Sequence, residues 1–144
     1  MKTILKTFSA VLVTVLLVSC ATGPKFSDIS PSIRDAMPDK GRIYIYRTAV
    51  LGAAVQPEVR LNGETIGKAV PKGCFYVDRD PGDYRITTST EVDRHLSFIL
   101  EKGQTRYVRL NISIGFFVGH VYPELVENEV GEKEIQQCNY TGQP

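Results

Sequence analysis

Glu58-Val59-Arg60-Leu61-Asn62-Gly63-Glu64-Thr65-Ile66-Gly67-Lys68-Ala69-Val70 is the stretch that decides the fold. Asn62-Gly63 is the dipeptide best suited to the positive φ angles of a two-residue hairpin turn. It stands between two short runs, Glu58 to Leu61 and Thr65 to Val70, which read as the paired strands. Working outward, the same rhythm of short runs and turn residues continues in both directions. Arg42 to Thr48 is rich in Ile and Tyr on both alternating faces, as in a strand covered on both sides. Pro71-Lys72-Gly73 leads into Cys74-Phe75-Tyr76-Val77, and Asp80-Pro81-Gly82-Asp83 makes a further turn before Tyr84 to Thr90. Leu96, Phe98 and Leu100 alternate with Ser97 and Glu101. The clearest period follows Lys102-Gly103-Gln104: Val108, Leu110, Ile112 and Ile114 on one face, predicted to point into the core, and Tyr107, Arg109, Asn111 and Ser113 on the other.

His120 to Val126 supplies one more run. Strands of this length and spacing predict an all-β domain, a small antiparallel β-sandwich of seven to eight strands of immunoglobulin-like or prealbumin-like type. A short C-terminal helix is expected from Glu129 to Cys138, with Asn128 as its cap; Gly131 weakens it.

The chain begins differently. Lys2 and Lys6 precede an almost wholly apolar segment from Phe8 to Val18, and Leu17-Val18-Ser19-Cys20 closes it. That is the layout of an export signal helix. The closing residues resemble the lipobox of bacterial lipoproteins, which implies cleavage between Ser19 and Cys20 and acylation of Cys20. Two or more fatty chains on one residue anchor a protein stably, where a single short one does not. The apolar run is short against the roughly 20 residues of a bilayer span. A plain secretory signal or a membrane anchor helix is the competing reading. Residues 21 to 40 carry Pro24, Pro31 and Pro38 among polar residues, and a flexible coil of that length would hold a domain on the order of 25 Å from the membrane. The predicted organisation is therefore a signal peptide at 1–19, a lipidated tether at 20–40, the sandwich at 41–138 and a flexible tail at 139–144.

Removing residues 1–19 from the 144 leaves about 125, enough for one domain with a real core. The formal charge of +1 includes Lys2 and Lys6, so the remaining body is at −1. That near-neutral balance argues against nucleic acid as a partner, because phosphate binding needs clustered Lys and Arg. Glu124, Glu127, Glu129, Glu132 and Glu134 crowd one stretch, read as a solvated acidic face.

Beyond Cys20 the cysteines are Cys74 and Cys138. In an oxidising compartment two leftover thiols tend to pair, so a disulfide is one expectation and two separate thiols the other. No catalytic constellation is evident. His95 and His120 are the only histidines, no serine stands in a Gly-x-Ser-x-Gly elbow, and no glycine run resembles a phosphate loop. No catalytic residue, metal site or cofactor is expected. Asp78, Asp80 and Asp83 bracket a Pro-Gly turn, where Asp serves local hydrogen bonding. Phe116, Phe117 and Val118, between Gly115 and Gly119, either continue the flanking strands or form an exposed apolar loop suited to a partner or membrane.

Gly41-Arg42-Ile43-Tyr44-Ile45-Tyr46-Arg47, Leu61-Asn62-Gly63 with Ile66-Gly67, Gly73-Cys74-Phe75-Tyr76-Val77-Asp78, Pro81-Gly82-Asp83-Tyr84 and Lys102-Gly103-Gln104 with Tyr107-Val108 together resemble one family. It is the small bacterial lipoprotein domain of unknown function numbered two-eight-four-six, and the likeness runs over residues 41 to 135. The resemblance implies a β-sandwich similar to PEGA modules and carries no catalytic residues. Cys74 stands where that pattern leads us to expect an aromatic or apolar residue. In lipoproteins of enterobacterial type, a residue other than Asp after the acylated cysteine goes with outer-membrane sorting, and here it is Ala21.

The functional expectation is a lipid-anchored, non-enzymatic envelope module facing the periplasm. It would offer strand edges and the loops near Ala49 to Gln56 and Ile114 to His120 to an envelope protein or cell-wall material. A periplasmic inhibitor or small-ligand carrier with a cavity between its sheets is the alternative, and an envelope hydrolase the third.

Overall fold

The computed structural model describes residues 21–114 and 119–142. Among the described residues nine strands, against the seven to eight expected, form two sheets: β1 (Gly41–Tyr46), β2 (Glu58–Leu61), β3 (Glu64–Lys68), β4 (Gly73–Arg79), β5 (Gly82–Ser89), β6 (Asp93–Leu100), β7 (Thr105–Ser113), β8 (His120–Val126) and the short β9 (Asn139–Tyr140). The larger sheet has the order β8-β7-β1-β4-β9 and the smaller β3-β2-β5-β6. The fold is the expected all-β sandwich. Asn62 and Gly63 take the positive φ angles that the hairpin required, 49° and 89°. The Asn62 side chain adds a cross-strand clamp, accepting from the Arg85 amide at 2.8 Å and donating to the Asp83 carbonyl at 3.2 Å.

The larger sheet is mixed rather than antiparallel throughout, since β1 runs parallel to β7 and β4 parallel to β9. The chain enters β1 and β7 from the same end, and each preceding segment crosses the molecule before it can pair. Between the sheets, Ile43, Ile45, Val59, Leu61, Phe75, Val77, Ile86, Leu100, Val108 and Leu110 form the main core, each at most 2% exposed. The face predicted from Val108, Leu110, Ile112 and Ile114 holds for the first two and fades along the strand. Ile112 is partly buried and Ile114 is 87% exposed, because β7 ends at Ser113 and Ile114 lies past the ladder.

The outer face of the larger sheet is also covered. Short helix α1 (Phe26–Ile29) and helix α2 (Asn128–Ile135) lie over it, and Phe26, Tyr46, Tyr107, Ile135, Cys74 and Cys138 make a second buried cluster. Tyr107 stacks on Tyr44 with ring centroids 5.0 Å apart, and Phe26 meets Tyr44 edge-on at 5.7 Å. Arg42 grips Asp78, its cross-strand neighbour, through Nε and Nη2 at 2.7 and 2.9 Å, while its guanidinium lies 4.2 Å from the Tyr76 ring centroid. Asn128 is the first residue of α2 and not its cap. Glu127 occupies the cap position, and no side chain caps the helix. Gly131 is required by packing: a Cβ there would land inside the Tyr107 ring.

Residues 21–40, expected as a flexible tether, are instead a strap laid down the sheet. The Ala21 amide donates to the Pro71 carbonyl at 3.1 Å, Tyr140 to Pro24 at 2.7 Å and Phe26 to Cys138 at 2.9 Å. Farther along, Arg42 Nη1 donates to the Arg34 carbonyl at 2.6 Å. The expected flexible tail likewise contributes β9, whose Asn139 and Tyr140 pair with Gly73 and Cys74. Apolar content is too sparse in either segment to show a period, yet one well-placed aromatic, Phe26 in the first and Tyr140 in the second, and a row of backbone hydrogen bonds suffice to dock each.

Candidate functional site

The end of the sandwich where β1 finishes and β4 begins, here the upper end, gathers Ala21, Arg47 and the buried pair Cys74 and Cys138. Ala21, 6% exposed, is held there on both sides of its backbone: its amide binds Pro71, and Asn139 Nδ2 donates to its carbonyl at 2.8 Å. The strap therefore starts at this end, runs the length of the outer face and delivers the chain into β1 at the other. The turn at Pro71-Lys72, the loop between β1 and β2, the β5–β6 turn and the last rung of the β7–β8 ladder, Ser113 opposite His120, share the upper end.

Arg47 organises the β1–β2 loop. It is fully buried, and Nη1 donates to the carbonyls of Val55 and Ala69, both at 2.7 Å, while Nη2 donates to those of Leu51 and Gly52 at 2.8 and 3.0 Å. Nε has no partner. Among the described residues no carboxylate pairs with this charge, and burial lowers its pKa. Four carbonyl dipoles take the place of a counter-ion. The loop's Gly52, at φ 68°, is pressed against the Ile112 side chain of β7.

Cys74 and Cys138 lie side by side as buried thiols, both 0% exposed. The Cys74 thiol pKa is pushed up, first by its hydrogen bond to Cys138 and then by burial. Cys138 shifts down through the same contact, so the pair shares its protons as a unit. Their surroundings are closed, among Phe26, Tyr46, Tyr107 and Ile135, and each thiol meets a backbone carbonyl, Cys138 Sγ that of Arg47 at 3.6 Å and Cys74 Sγ that of Asn139 at 3.5 Å. The contact joins β4 to the segment after α2.

The acidic stretch is partly tied down. Arg109 Nη1 meets Glu134 and Nη2 meets Glu124, each at 2.8 Å, Asn111 Nδ2 donates to Glu124 at 2.6 Å, and the Tyr46 hydroxyl donates to Glu134 at 2.7 Å. Hydrogen bonds from Arg109 and Asn111 hold Glu124 below the usual carboxylate range. This network fastens α2 onto the sheet. Glu127, Glu129 and Glu132 stay exposed, as a solvated face requires.

The two histidines lie apart from the thiol pair. His95 Nδ1 is 3.0 Å from Thr87 Oγ1 on an exposed ladder. His120 Nδ1 is 3.1 Å from Thr90 Oγ1, and its Nε2 is 3.9 Å from Glu91, beyond hydrogen-bond reach. Among the described residues no three His, Cys, Asp or Glu side chains gather as a metal site. Asp78 serves Arg42, and Asp80 serves Lys40 at 2.7 Å and accepts through its carbonyl from the Tyr84 hydroxyl.

Ser19 and Cys20, the candidate cleavage and lipidation positions, and Phe116, Phe117 and Val118, the candidate interaction loop, lie outside the described residues. Sequence reasoning missed Arg47 and Phe26. Arg47 ends an apolar strand just before a loop, a placement that marks a long cation able to reach loop carbonyls. Phe26 is the one large aromatic in an otherwise polar leader segment.

One relative, an uncharacterized protein of Haemophilus influenzae, is 31% identical over 136 residues, covering 91% of this chain and 81% of its own length. The segment from residue 37 to 121, from just before β1 into β8, matches the family model described as protein of unknown function DUF2846. The shared part holds seven complete strands of the sandwich and the paired Asn-Gly and Pro-Gly turns, so the chain belongs to the DUF2846 family.

Proposed function

We propose that this protein is a lipid-anchored, non-enzymatic module of the bacterial cell envelope. It carries its acyl groups on Cys20, is sorted to the outer membrane by Ala21, and serves as a binding or structural partner for another envelope protein or for cell-wall material. One observation supports this above the others: the residue after Cys20 is docked on the rigid body of the sandwich, so a lipid on Cys20 would position the whole domain and not merely retain it. Polar side chains elsewhere serve the fold, as with Arg42, Arg47, Arg109 and Glu134. The ten core side chains between the sheets weigh against the alternative of an inhibitor or ligand carrier with an internal cavity. Thr90, His120 and Glu91 are the nearest approach to a hydrolase set, and with His120 Nε2 3.9 Å from Glu91 they support that reading less than the docked Ala21 supports the anchor.

In an oxidising compartment the adjacent Cys74 and Cys138 thiols would lose two protons and two electrons to an envelope thiol oxidant and form one bridge. Labelled palmitate should enter the wild-type protein and not Cys20→Ser, which should leave the membrane fraction. Equal membrane retention of both would defeat the anchor. Crosslinking in native membranes should capture a partner that a Phe116→Ser, Phe117→Ser variant loses; no captured species would count against the binding role.

A further inference from the structure

We infer that the upper end of the sandwich lies directly against the bilayer, with Val50, Leu51, Val92 and Ile114 entering its headgroup region beside the acyl chains. This rests on the lipid-anchor reading of Cys20 and adds an orientation and a contact surface to it. Ala21 is fixed through both its amide and its carbonyl, and Cys20 is one Cα step away, about 3.8 Å. A domain so joined cannot swing on a long tether. Whatever surface surrounds Ala21 must face the lipid.

The end of the sandwich that carries Ala21 is apolar out of proportion. Val50 is 44%, Leu51 65%, Val92 48% and Ile114 87% exposed, four of the eight large exposed hydrophobic side chains among the described residues. Val50 and Leu51 come from the β1–β2 loop, Val92 from the β5–β6 turn and Ile114 from just past the end of β7, and the fold draws them around the last rung of the β7–β8 ladder. The Gly52 turn packs on Ile112, and Thr90 meets His120 opposite Ser113 at the last rung of the β7–β8 ladder. The charges at this end nearly balance, with Lys72, Arg94 and the buried Arg47 against Glu91 and Asp93, so no negative field opposes approach to a phospholipid surface. Arg47 holds the carbonyls of Leu51 and Gly52 from inside, so this loop needs little ordering on contact. Shallow entry of apolar side chains by about 5–10 Å is the usual mode of interfacial binding. Upright docking turns the Asn62-Gly63 hairpin and the Lys40–Asp80 pair toward the periplasm, where a partner would meet them.

The chain contains no tryptophan, so a single introduced one reports its own surroundings. Full-length protein purified from membranes, reconstituted in phosphatidylethanolamine–phosphatidylglycerol vesicles with brominated acyl chains, should show about twofold or greater quenching and a blue shift for Leu51→Trp. Val92→Trp should behave alike. Ile99→Trp, at an exposed position of β6 opposite Asp83 near the other end, should show neither. Equal quenching at all three positions overturns the docking, as does a blue shift at Leu51→Trp without quenching, which would mean protein covers the site. Absence of palmitate from the purified chain fails the anchor itself and this orientation with it, whereas a labelled chain with unquenched Leu51→Trp fails the docking alone.

Discussion

Replacing Arg47 with Met should be among the most damaging single changes outside the apolar core. The guanidinium makes four hydrogen bonds to carbonyls of 2.7 to 3.0 Å, and its side chain is wholly buried. Hydrogen bonds involving a charged group contribute about 1.5–3 kcal/mol each before offsets. Two offsets apply. Leu51 and Gly52 lie on an exposed turn, where water can take over from the lost donor, and removing the cation relieves the desolvation of an unpaired charge. What water cannot mend is the Ala69 carbonyl, whose bond to Arg47 is buried, at about 1–3 kcal/mol. The net loss for Arg47→Met is therefore about 3 kcal/mol, a large part of a typical total of 5–15 kcal/mol. Arg47→Lys should fall between, because an ammonium has three donors and no planar fork. Urea denaturation followed by circular dichroism measures both, and exchange of the Val55 amide, which donates to Gly52, should quicken in step. A Met variant within about 0.5 kcal/mol of wild type would refute this account of the loop.

Three further changes test the packing. Gly131→Ala gains about 1 kcal/mol of helix propensity in an open helix, yet here the methyl enters the Tyr107 ring, so the melting temperature should fall by an amount equivalent to about 2–4 kcal/mol; a rise would show that α2 stands farther from the sheet. Oxidation of Cys74 and Cys138 should stabilise the protein by about 4 kcal/mol for a closed loop of roughly 65 residues, read as a shift in urea midpoint reversed by reductant and absent in Cys138→Ser. Tyr46 and Tyr107 both have pKa values raised above the usual 10.0, mainly by burial, with the Tyr46 bond to Glu134 adding to its shift. The folded state thus holds these protons more tightly than the unfolded one, so their contribution is complete below pH 10 and is lost as pH rises beyond it. Tyr46→Phe should flatten that alkaline decline.

The sandwich was legible because its turns carry their own chemistry. Asn62-Gly63 and Asp80-Pro81-Gly82-Asp83 locate two reversals to the residue, and the alternation around Val108 and Leu110 identifies a core face. Parallel pairing of β1 with β7 was not legible, since period-two patterns carry no direction. Nor was the strap. Its docking depends on Phe26 finding Tyr44 and on backbone groups of residues 21–26 finding Pro71, Cys138 and Tyr140, none of which produces a local pattern. Gly131 misled for a related reason: judged within its helix it is a weak residue, judged against Tyr107 it is the residue that fits. Compartment chemistry suggests that Cys74 and Cys138 meet, but no local pattern shows it; the pairing of β9 with the start of β4 brings them together.

The central claim is that the chain is already part of the rigid body one residue after Cys20. Amide hydrogen exchange in the full-length protein tests it most directly at Phe26, which donates to Cys138, at Tyr140, which donates to Pro24, and at Ala21, which donates to Pro71. The account predicts slow exchange at Phe26 and Tyr140, approaching that of Ile45 in the central strand, with measurable protection at Ala21. Exchange at all three as fast as in an unstructured peptide would contradict it and restore a free tether.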